Sequence, residues 1–339
     1  MKLERHDSRS FTAHVSHAVT LSILASFGFV SCLATGQSNA QIDNSTDRAT
    51  TARTSTGLEA GQETFSSAAE ATHALVTALR KDDEATLLKI LGANAKEIIS
   101  SGDGAEDKTN RDQFVQKYQQ MHRLVTEPDG TTTLYIGAEN WPTPIPLLRQ
   151  GNSWYFDTAA GKQEILYRRV GKNEMAVMQT CHELMDAEKE YYAQPHEGIA
   201  GSQYAQKFFS DPGKQNGLYW ESASDKASPI GPLIAVAATD GYPQAPARNL
   251  EPFQGYYFRI LKAQGSKASG GSRNYIVDGK MTGGFAFVAY PAEYRSSGVM
   301  TFIVNQDGQV YEKDLGPKTA EAAKTMKRYD PGTGWRKAE

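Results

Sequence analysis

The sequence predicts an α+β protein in two halves: N-terminal helices with a curved antiparallel sheet, then a long helix laid on a second antiparallel meander. Three observations carry that expectation. Apolar residues recur at helical spacing from Ala68 to Leu79 and from Met175 to Tyr192. Branched and aromatic residues gather in short runs over residues 131–157 and 256–313, and Gly, Asn and Asp separate those runs. Helices, then strands, then a helix, then strands is a segregated order, unlike the regular alternation that builds parallel sheets.

In the first half, Ser66 and Ser67 can cap a helix with Glu70 three residues after Ser67, and Ala68, Ala71, Leu75, Val76 and Leu79 share one face. A short helix over 84–91 closes at Gly92. The polar run 100–107 predicts a loop, and 111–124 a third helix with Phe114, Val115, Tyr118 and Met121 inward. Strands are expected at 131–136, 145–149 and 153–157, the last two joined by the tight turn Gln150-Gly151-Asn152. This half, residues 67–170, follows the element order of small cone-shaped NTF2-like domains.

In the second half, residues 171–339, Asn173 is expected to cap a helix that runs to Tyr192 and is stopped by Pro195. Met175, Met178, Cys181, Met185, Glu188 and Tyr192 lie along one side of it. Residues 194–252 read as loop-rich, with helical pieces at 204–209 and 230–238. Five strands follow at 256–263, 274–277, 283–290, 299–305 and 309–313, the last two joined by the turn 305–308. Phe285, Phe287 and Ala289 face one side of their strand and Ala286, Val288 and Tyr290 the other, so both sides must be covered, one of them by the Met-rich helix.

Residues 1–40 read as a signal peptide. Lys2, Arg5 and Arg9 precede an uncharged stretch from Ala18 through Leu21, Ile23, Leu24, Phe27, Phe29 and Val30 to Ala34, and Ser38 and Ala40 suit a signal peptidase cutting after Ala40. A lipoprotein signal with Cys32 as the lipidated first residue is the competing reading. An uncleaved anchor of roughly 17 apolar residues, short for a spanning helix, is the third. Residues 41–66, dominated by Thr, Ser, Gln, Asn, Ala and Gly, bury too little to offset ordering entropy and are read as a disordered tether. A periplasmic or secreted location follows, with no transmembrane segment in the mature chain.

Across the 339 residues, 36 Lys plus Arg face 39 Asp plus Glu, for a net charge of -3. Nucleic acid is therefore not expected as a partner, since a phosphate backbone calls for a clustered basic excess. Of two cysteines, Cys32 lies in the leader, which leaves Cys181 without an internal disulfide partner.

The run Met175-Ala-Val-Met-Gln-Thr-Cys-His-Glu-Leu-Met-Asp-Ala-Glu-Lys-Glu-Tyr-Tyr-Ala ahead of a meander resembles the helix that opens type IV pilin and pseudopilin heads. The leader lacks a Gly followed by Phe-Thr-Leu-x-Glu, so autonomous filament assembly is not implied. At closer range, nearly the whole body resembles a bacterial family of exported proteins catalogued as domain of unknown function 2950. The likeness is carried by Glu139-Asn-Trp-Pro-Thr-Pro-Ile-Pro-Leu, Trp154-Tyr-Phe-Asp-Thr-Ala-Ala-Gly-Lys-Gln-Glu-Ile-Leu, Asn216-Gly-Leu-Tyr-Trp and Gly255-Tyr-Tyr-Phe-Arg-Ile-Leu. Met281-Thr-Gly-Gly-Phe-Ala, Gly298-Val-Met-Thr-Phe-Ile-Val-Asn and Val310-Tyr-Glu-Lys-Asp-Leu-Gly-Pro extend it. The resemblance implies an envelope location and no particular activity.

Candidate chemistry is sparse. Cys181 and His182 are neighbours on a helix, about 100° apart, and cannot form a thiol–base pair, so Cys181 reads as a buried structural thiol. His182, Glu183, Asp186 and Glu190 have helical spacing, but with no second His or thiolate they read as a solvated face, and no metal or cofactor is expected. His73, His122 and His196 are isolated, and no Gly-x-Ser-x-Gly, His-Glu-x-x-His or phosphate-binding Gly-Lys-Ser/Thr loop occurs. Arg273, Tyr275, Asp278 and Lys280, set among glycines at strand ends, are the ligand-binding candidates, against the reading that those glycines merely serve turns. Trp141, Pro142, Pro144 and Pro146 form either a rigid edge for peptide or glycan contact or a proline-protected sheet edge. The functional expectation is a non-enzymatic binding or scaffolding module whose partner is a cell-envelope protein, peptide or glycan. The alternatives are an envelope hydrolase of unfamiliar type using Asp278 or Glu183, or an accessory part of a secretion or pilus system.

Overall fold

Ser67 accepts a hydrogen bond from the Glu70 amide, and Glu70 accepts one in return from the Ser66 amide at 2.9 Å, so the expected capping box opens α1 (Ala68–Lys81). A computed structural model of the chain describes residues 57–196, 201–221, 228–239, 242 and 251–338. The leader and the tether up to residue 56 lie outside the described residues. The end of the tether already belongs to the fold. Buried Gln62 donates to the carbonyls of Ile90 (3.1 Å) and Phe156 (2.8 Å), and Phe65 pairs with Trp154 through two backbone bonds. Composition cannot reveal such bonds, because one amide and one ring do not change a polar average.

Helix α2 (Glu84–Leu91) and the short α3 (Lys96–Ile99) follow. Helix α4 (Gly104–Gln120) starts inside the run expected as a loop and ends before residue 124. Asp103 supplies its cap by accepting from the Glu106 amide at 3.1 Å, and Glu106 and Asp107 place negative charge on the first turn, where the helix dipole favours it. Strand β1 (His122–Thr126) takes up the residues that helical spacing had claimed, in hairpin register with β2 (Thr132–Ile136). Strands β3 (Trp141–Pro142), β4 (Leu147–Gln150) and β5 (Ser153–Phe156) complete an antiparallel sheet of order β1-β2-β4-β5, with β3 on β2. The expected Gly151-Asn152 turn joins β4 to β5.

Helix α5 (Thr158–Ala193) is one unbroken element of 36 residues, capped by Asp157, and it passes straight through position 170. Asn173, expected as an N-cap, is a fully buried interior residue of this helix. Gly161 and Gly171 do not interrupt it. At Gly161 a side chain would stand 2.5 Å from the Pro144 carbonyl oxygen, so the absence of one is what lets α5 lie against the β3–β4 connection.

Beyond α6 (Gly231–Thr239) lie β6 (Tyr256–Leu261), β7 (Ala263–Gln264), β8 (Arg273–Asn274), β9 (Ile276–Val277) and β10 (Lys280–Met281). Strands β11 (Ala286–Pro291), β12 (Met300–Asn305) and β13 (Tyr311–Asp314), helix α7 (Thr319–Thr325) and β14 (Arg336–Lys337) end the chain. The main sheet runs β14-β13-β12-β11-β6, antiparallel throughout, so the expected meander forms without the segment 274–277, whose residues pair in β7–β8 and β9–β10 while β6 pairs directly with β11, and β14 extends it at the other edge. The expected helix over 204–209 is absent. Its aromatic residues seat separately, Tyr204 on Phe285 and Phe208 on Phe287 with ring centres 4.8 and 5.8 Å apart.

Every residue of β11 is buried. Tyr256, paired with Pro291, reaches Glu174 of α5, whereas Arg259, paired with Val288, donates to the Ala323 carbonyl of α7. Side chains paired across a ladder point to the same face, so α5 covers the Phe287 face and α7, which the sequence pattern did not suggest, covers the Val288 face. The described residues form one compact unit with two apolar cores, one from residues 65–156 and one from 177–329.

Glu188 stands in the second core at 0% exposure, with Oε2 accepting from the Ala205 amide at 2.8 Å and Oε1 unpartnered. Burial raises its carboxyl well above the usual range. The folded chain thus holds a proton that the unfolded chain releases above about pH 4.3, so this group's contribution falls as pH rises from there to the folded-state value. Glu188→Gln, which keeps the acceptor, is expected to gain on the native protein by about 1.4 kcal/mol per pH unit across that window in urea unfolding. A stability difference independent of pH would contradict a neutral Glu188. Gly171→Ala, with open space around the added methyl, should stabilise by about 0.5–1 kcal/mol, and Gly161→Ala should destabilise. Equal effects from the two would contradict the path of α5.

Candidate functional site

The first core does not close on itself. A cavity of about 380 Å³ opens between α1, α2, α4, the β3–β4 connection and the first half of α5. Its floor is apolar: Leu75 and Leu79 from α1, Leu87 and Leu91 from α2, Ile99 at the end of α3, Ile145, and Phe156 from β5. Phe114, Trp141 and Ile165 stand higher and are only half-buried. Ile165, Arg168, Arg169 and Lys172 lie on one face of α5 at spacings of three and four, which carries the lining from apolar to cationic along one helix.

Charged groups line the cavity too, Arg168 and Lys172 exposed and Glu106, Asp107 and Arg111 as buried as the apolar residues. Glu106 and Asp107 are each 5% exposed, and burial raises both carboxyls above their ordinary range against the pull of neighbouring cations. Glu106 accepts from Lys172 (3.3 Å) and Asn173 (3.1 Å), and Asp107 from the Ser101 amide (2.8 Å). Arg111 bonds the Ile99 carbonyl at 3.0 Å and pairs with Asp82 at 2.6 Å. Arg169 closes α3 by donating to the carbonyls of Glu97 (2.8 Å) and Ile98 (2.6 Å); burial pushes its guanidinium down, with Asp107 and Glu106 opposing. Arg168 is about half exposed, pairs with Glu164 one turn back, and lies with Cζ 5.6 Å from the Trp141 ring centre. A second, polar groove shares Thr143, Pro144 and Arg168 with the cavity and is bordered by Glu127, Asp129, Tyr135 and Glu164.

A buried junction ties these charged groups to the second half of the chain. Asp103, 1% exposed, caps α4 with one oxygen and with the other accepts from the Tyr242 hydroxyl (2.7 Å) and the Gly255 amide (2.9 Å). Asn173 bonds both Glu106 and the Ser297 carbonyl (3.0 Å), and Ser296 bonds the Glu97 carbonyl (2.9 Å).

The sequence candidates stand elsewhere. Arg273, Asp278 and Lys280 are exposed around the β9–β10 hairpin, whose Asp278-Gly279 tip has positive φ at both residues, as a tight two-residue turn requires. Tyr275 is fully buried and donates its hydroxyl to Gln264 at 2.9 Å, with Arg273 over its ring at 5.9 Å. None of the four lines the cavity. Glu183 is exposed and bonded by Gln179, and Asp186 pairs with Lys189. Cys181 is fully buried, its thiol pushed up to about 12 by burial. His122 and His196 are satisfied by stacking on Tyr118 and Tyr191 and by the backbone carbonyls of those residues. Among the described residues, no group of three or more His, Cys, Asp and Glu could hold a metal ion, and no helix is long and apolar enough to cross a membrane. Of the aromatic and proline cluster, Trp141 and Pro144 line the cavity, and Pro142, Pro144 and Pro146 line the groove. Glu106, Asp107, Arg168, Arg169 and Lys172 were not singled out by the sequence pattern. The first two sat in an expected loop and the others at an expected domain break; reading α5 through would have aligned Ile165 with the three cations.

The family model described as protein of unknown function (DUF2950) matches residues 62–338. The chain belongs to this family. The DUF2950 match opens at Gln62, the residue whose amide ties the chain's entry to α2 and β5, and so it takes in both the cavity and the meander. Searches of curated proteins and of solved structures found no match.

Asp103 gathers a helix cap and two buried bonds on one carboxylate. Asp103→Ala is expected to lower stability by about 3 kcal/mol in urea unfolding, from a lost cap of about 1 and orphaned donors of about 2, and Asp103→Asn by less than half of that. A loss below about 0.5 kcal/mol for Asp103→Ala would show that the junction does not hold the halves together.

Proposed function

We propose that the mature chain is an exported, non-enzymatic binding module of the cell envelope that holds a small apolar ligand in the cavity beneath α5. The leader, with its basic start, apolar middle and small residues before position 41, supports export. The cavity carries the binding reading. At about 380 Å³ it falls within the range of small-molecule sites, and a lining of twelve apolar and eight polar or charged residues has the predominantly apolar character of such sites. The charged groups argue for binding over turnover. Asp107, Arg111 and Arg169 are bonded to backbone and Glu106 to Lys172 and Asn173, and none forms a nucleophile–base pair.

The test is a titration of the purified mature chain with N-phenyl-1-naphthylamine, a neutral fluorescent apolar probe. Saturable binding is expected, weakened about tenfold or more by Ile165→Trp, which fills the mouth while its site on half-exposed α5 leaves folding intact. Absence of saturable binding, or binding indifferent to Ile165→Trp, would overturn the cavity as a site. Mass spectrometry of the chain from its native host tests export: a start at Gln41, or at lipidated Cys32, is expected, and an intact Met1 start in the cytosol would refute it.

A further inference from the structure

We infer that the ligand is a single-chain amphiphilic anion, a carboxylate- or phosphate-ended chain of about ten to fifteen carbons, with its head held at the cavity mouth by Arg168. This rests on the binding-module reading and adds the chemical class. Three observations carry it.

The first is size. A dry cavity of 150 Å³ in another protein accommodates benzene, so about 380 Å³ accommodates a chain on the order of ten to fifteen carbons at similar filling. The second is polarity on one side: the exposed charged groups of the lining, Arg168 and Lys172, both stand on α5. The floor offers leucine, isoleucine and phenylalanine side chains with no charged group, and an ionic head cannot be dragged there without losing its hydration. A ligand that satisfies both regions has one charged end and one apolar end.

The third is sign. The lining's two carboxylates are buried and bonded, and of its four cations Arg111 and Arg169 are held by Asp82 and by backbone carbonyls, which leaves Arg168 and Lys172 as its exposed charges. Arg168 and Lys172 are the exposed pair, one helical turn apart on α5. Arg168 is the better placed. Its ion pair with Glu164 is exposed on both sides and therefore weak, its guanidinium rests on the edge of the lining at Trp141, and its planar fork fits a carboxylate or phosphate with two parallel bonds. A neutral chain gains no ion pair from Arg168, and a cationic one cannot use its fork.

The experiment measures displacement of N-phenyl-1-naphthylamine from the mature chain and from Arg168→Gln by dodecanoate, dodecyl phosphate, dodecanol and dodecyltrimethylammonium, below their micelle concentrations. Both anions are expected to bind at least tenfold tighter than dodecanol, to lose about tenfold or more in Arg168→Gln, and to weaken with salt, while dodecanol is unchanged within twofold. The stronger of the two anions identifies the head. Dodecanol or the ammonium binding as tightly as the anions, or anions indifferent to Arg168→Gln, would overturn the inference and leave the cavity reading standing. Probe binding with no displacement by any chain would also overturn it. Failure of the probe itself to bind would sink the underlying reading as well, so the two failures are told apart.

Discussion

Helix α5 has to serve two cores at once, and the rest of the structure is arranged around that requirement. Its first four turns present Ile165, Arg168, Arg169 and Lys172 to the cavity, and its later turns bury Val177, Cys181, Leu184 and Tyr191 against the meander. An isolated helix of this length would tolerate two glycines at a cost of about 1 kcal/mol each. Here Gly161 is retained where the backbone of Pro144 comes close, and packing on both faces outweighs the weak local propensity. Because the helix is continuous, the position of the cavity rim is fixed by the same element that fixes the second core.

The passage of α5 from one core to the other is also where buried charge collects. Asp103, Glu106, Asp107 and Asn173 are all at most 5% exposed, which would be costly for isolated groups. The three carboxylates are answered, Asp103 by a helix cap, a phenol and an amide, Glu106 by Lys172 and Asn173, and Asp107 by a backbone amide, while the Asn173 Oδ1 has no partner. Such networks contribute little net stability relative to apolar packing, but they penalise any arrangement that breaks one member. The junction therefore specifies how residues 103–107, 169–173, Tyr242, Gly255 and 296–297 meet. The two leucine- and phenylalanine-rich cores, which could tolerate small slips, do not specify it.

What the sequence showed and what it hid divide along physical lines. Period-two runs with tight turns identified the meander, the β4–β5 hairpin and the doubly buried β11, because alternation and turn chemistry are local signals. The capping box of α1 was equally local. Helix α4 was misplaced because its first turn is polar on every side and its stability comes from Asp103 and from tertiary bonds to residues far along the chain. The continuity of α5 was hidden for a similar reason: a basic stretch around Arg168-Arg169 followed by Asn173 looks like a boundary until Arg169 is seen closing α3 and Asn173 is seen bonding Glu106 and Ser297. The glycine-rich candidates Arg273, Tyr275, Asp278 and Lys280 drew notice because turns and ligand loops share a composition, and at the β9–β10 tip the geometry is that of a turn. The cavity was not legible at all, since it is a gap between elements far apart in the chain and leaves no periodic mark.

The most direct test of this account is hydrogen–deuterium exchange along residues 158–193 of the native protein. One helix shared by two cores predicts that the amides from about 162 to 190 are protected as a continuous block and open together under mild denaturant. A stretch of fast exchange around Arg168 to Asn173, separating two independently opening segments, would mean that the halves are joined by a hinge, and the fixed rim on which the cavity depends would not exist.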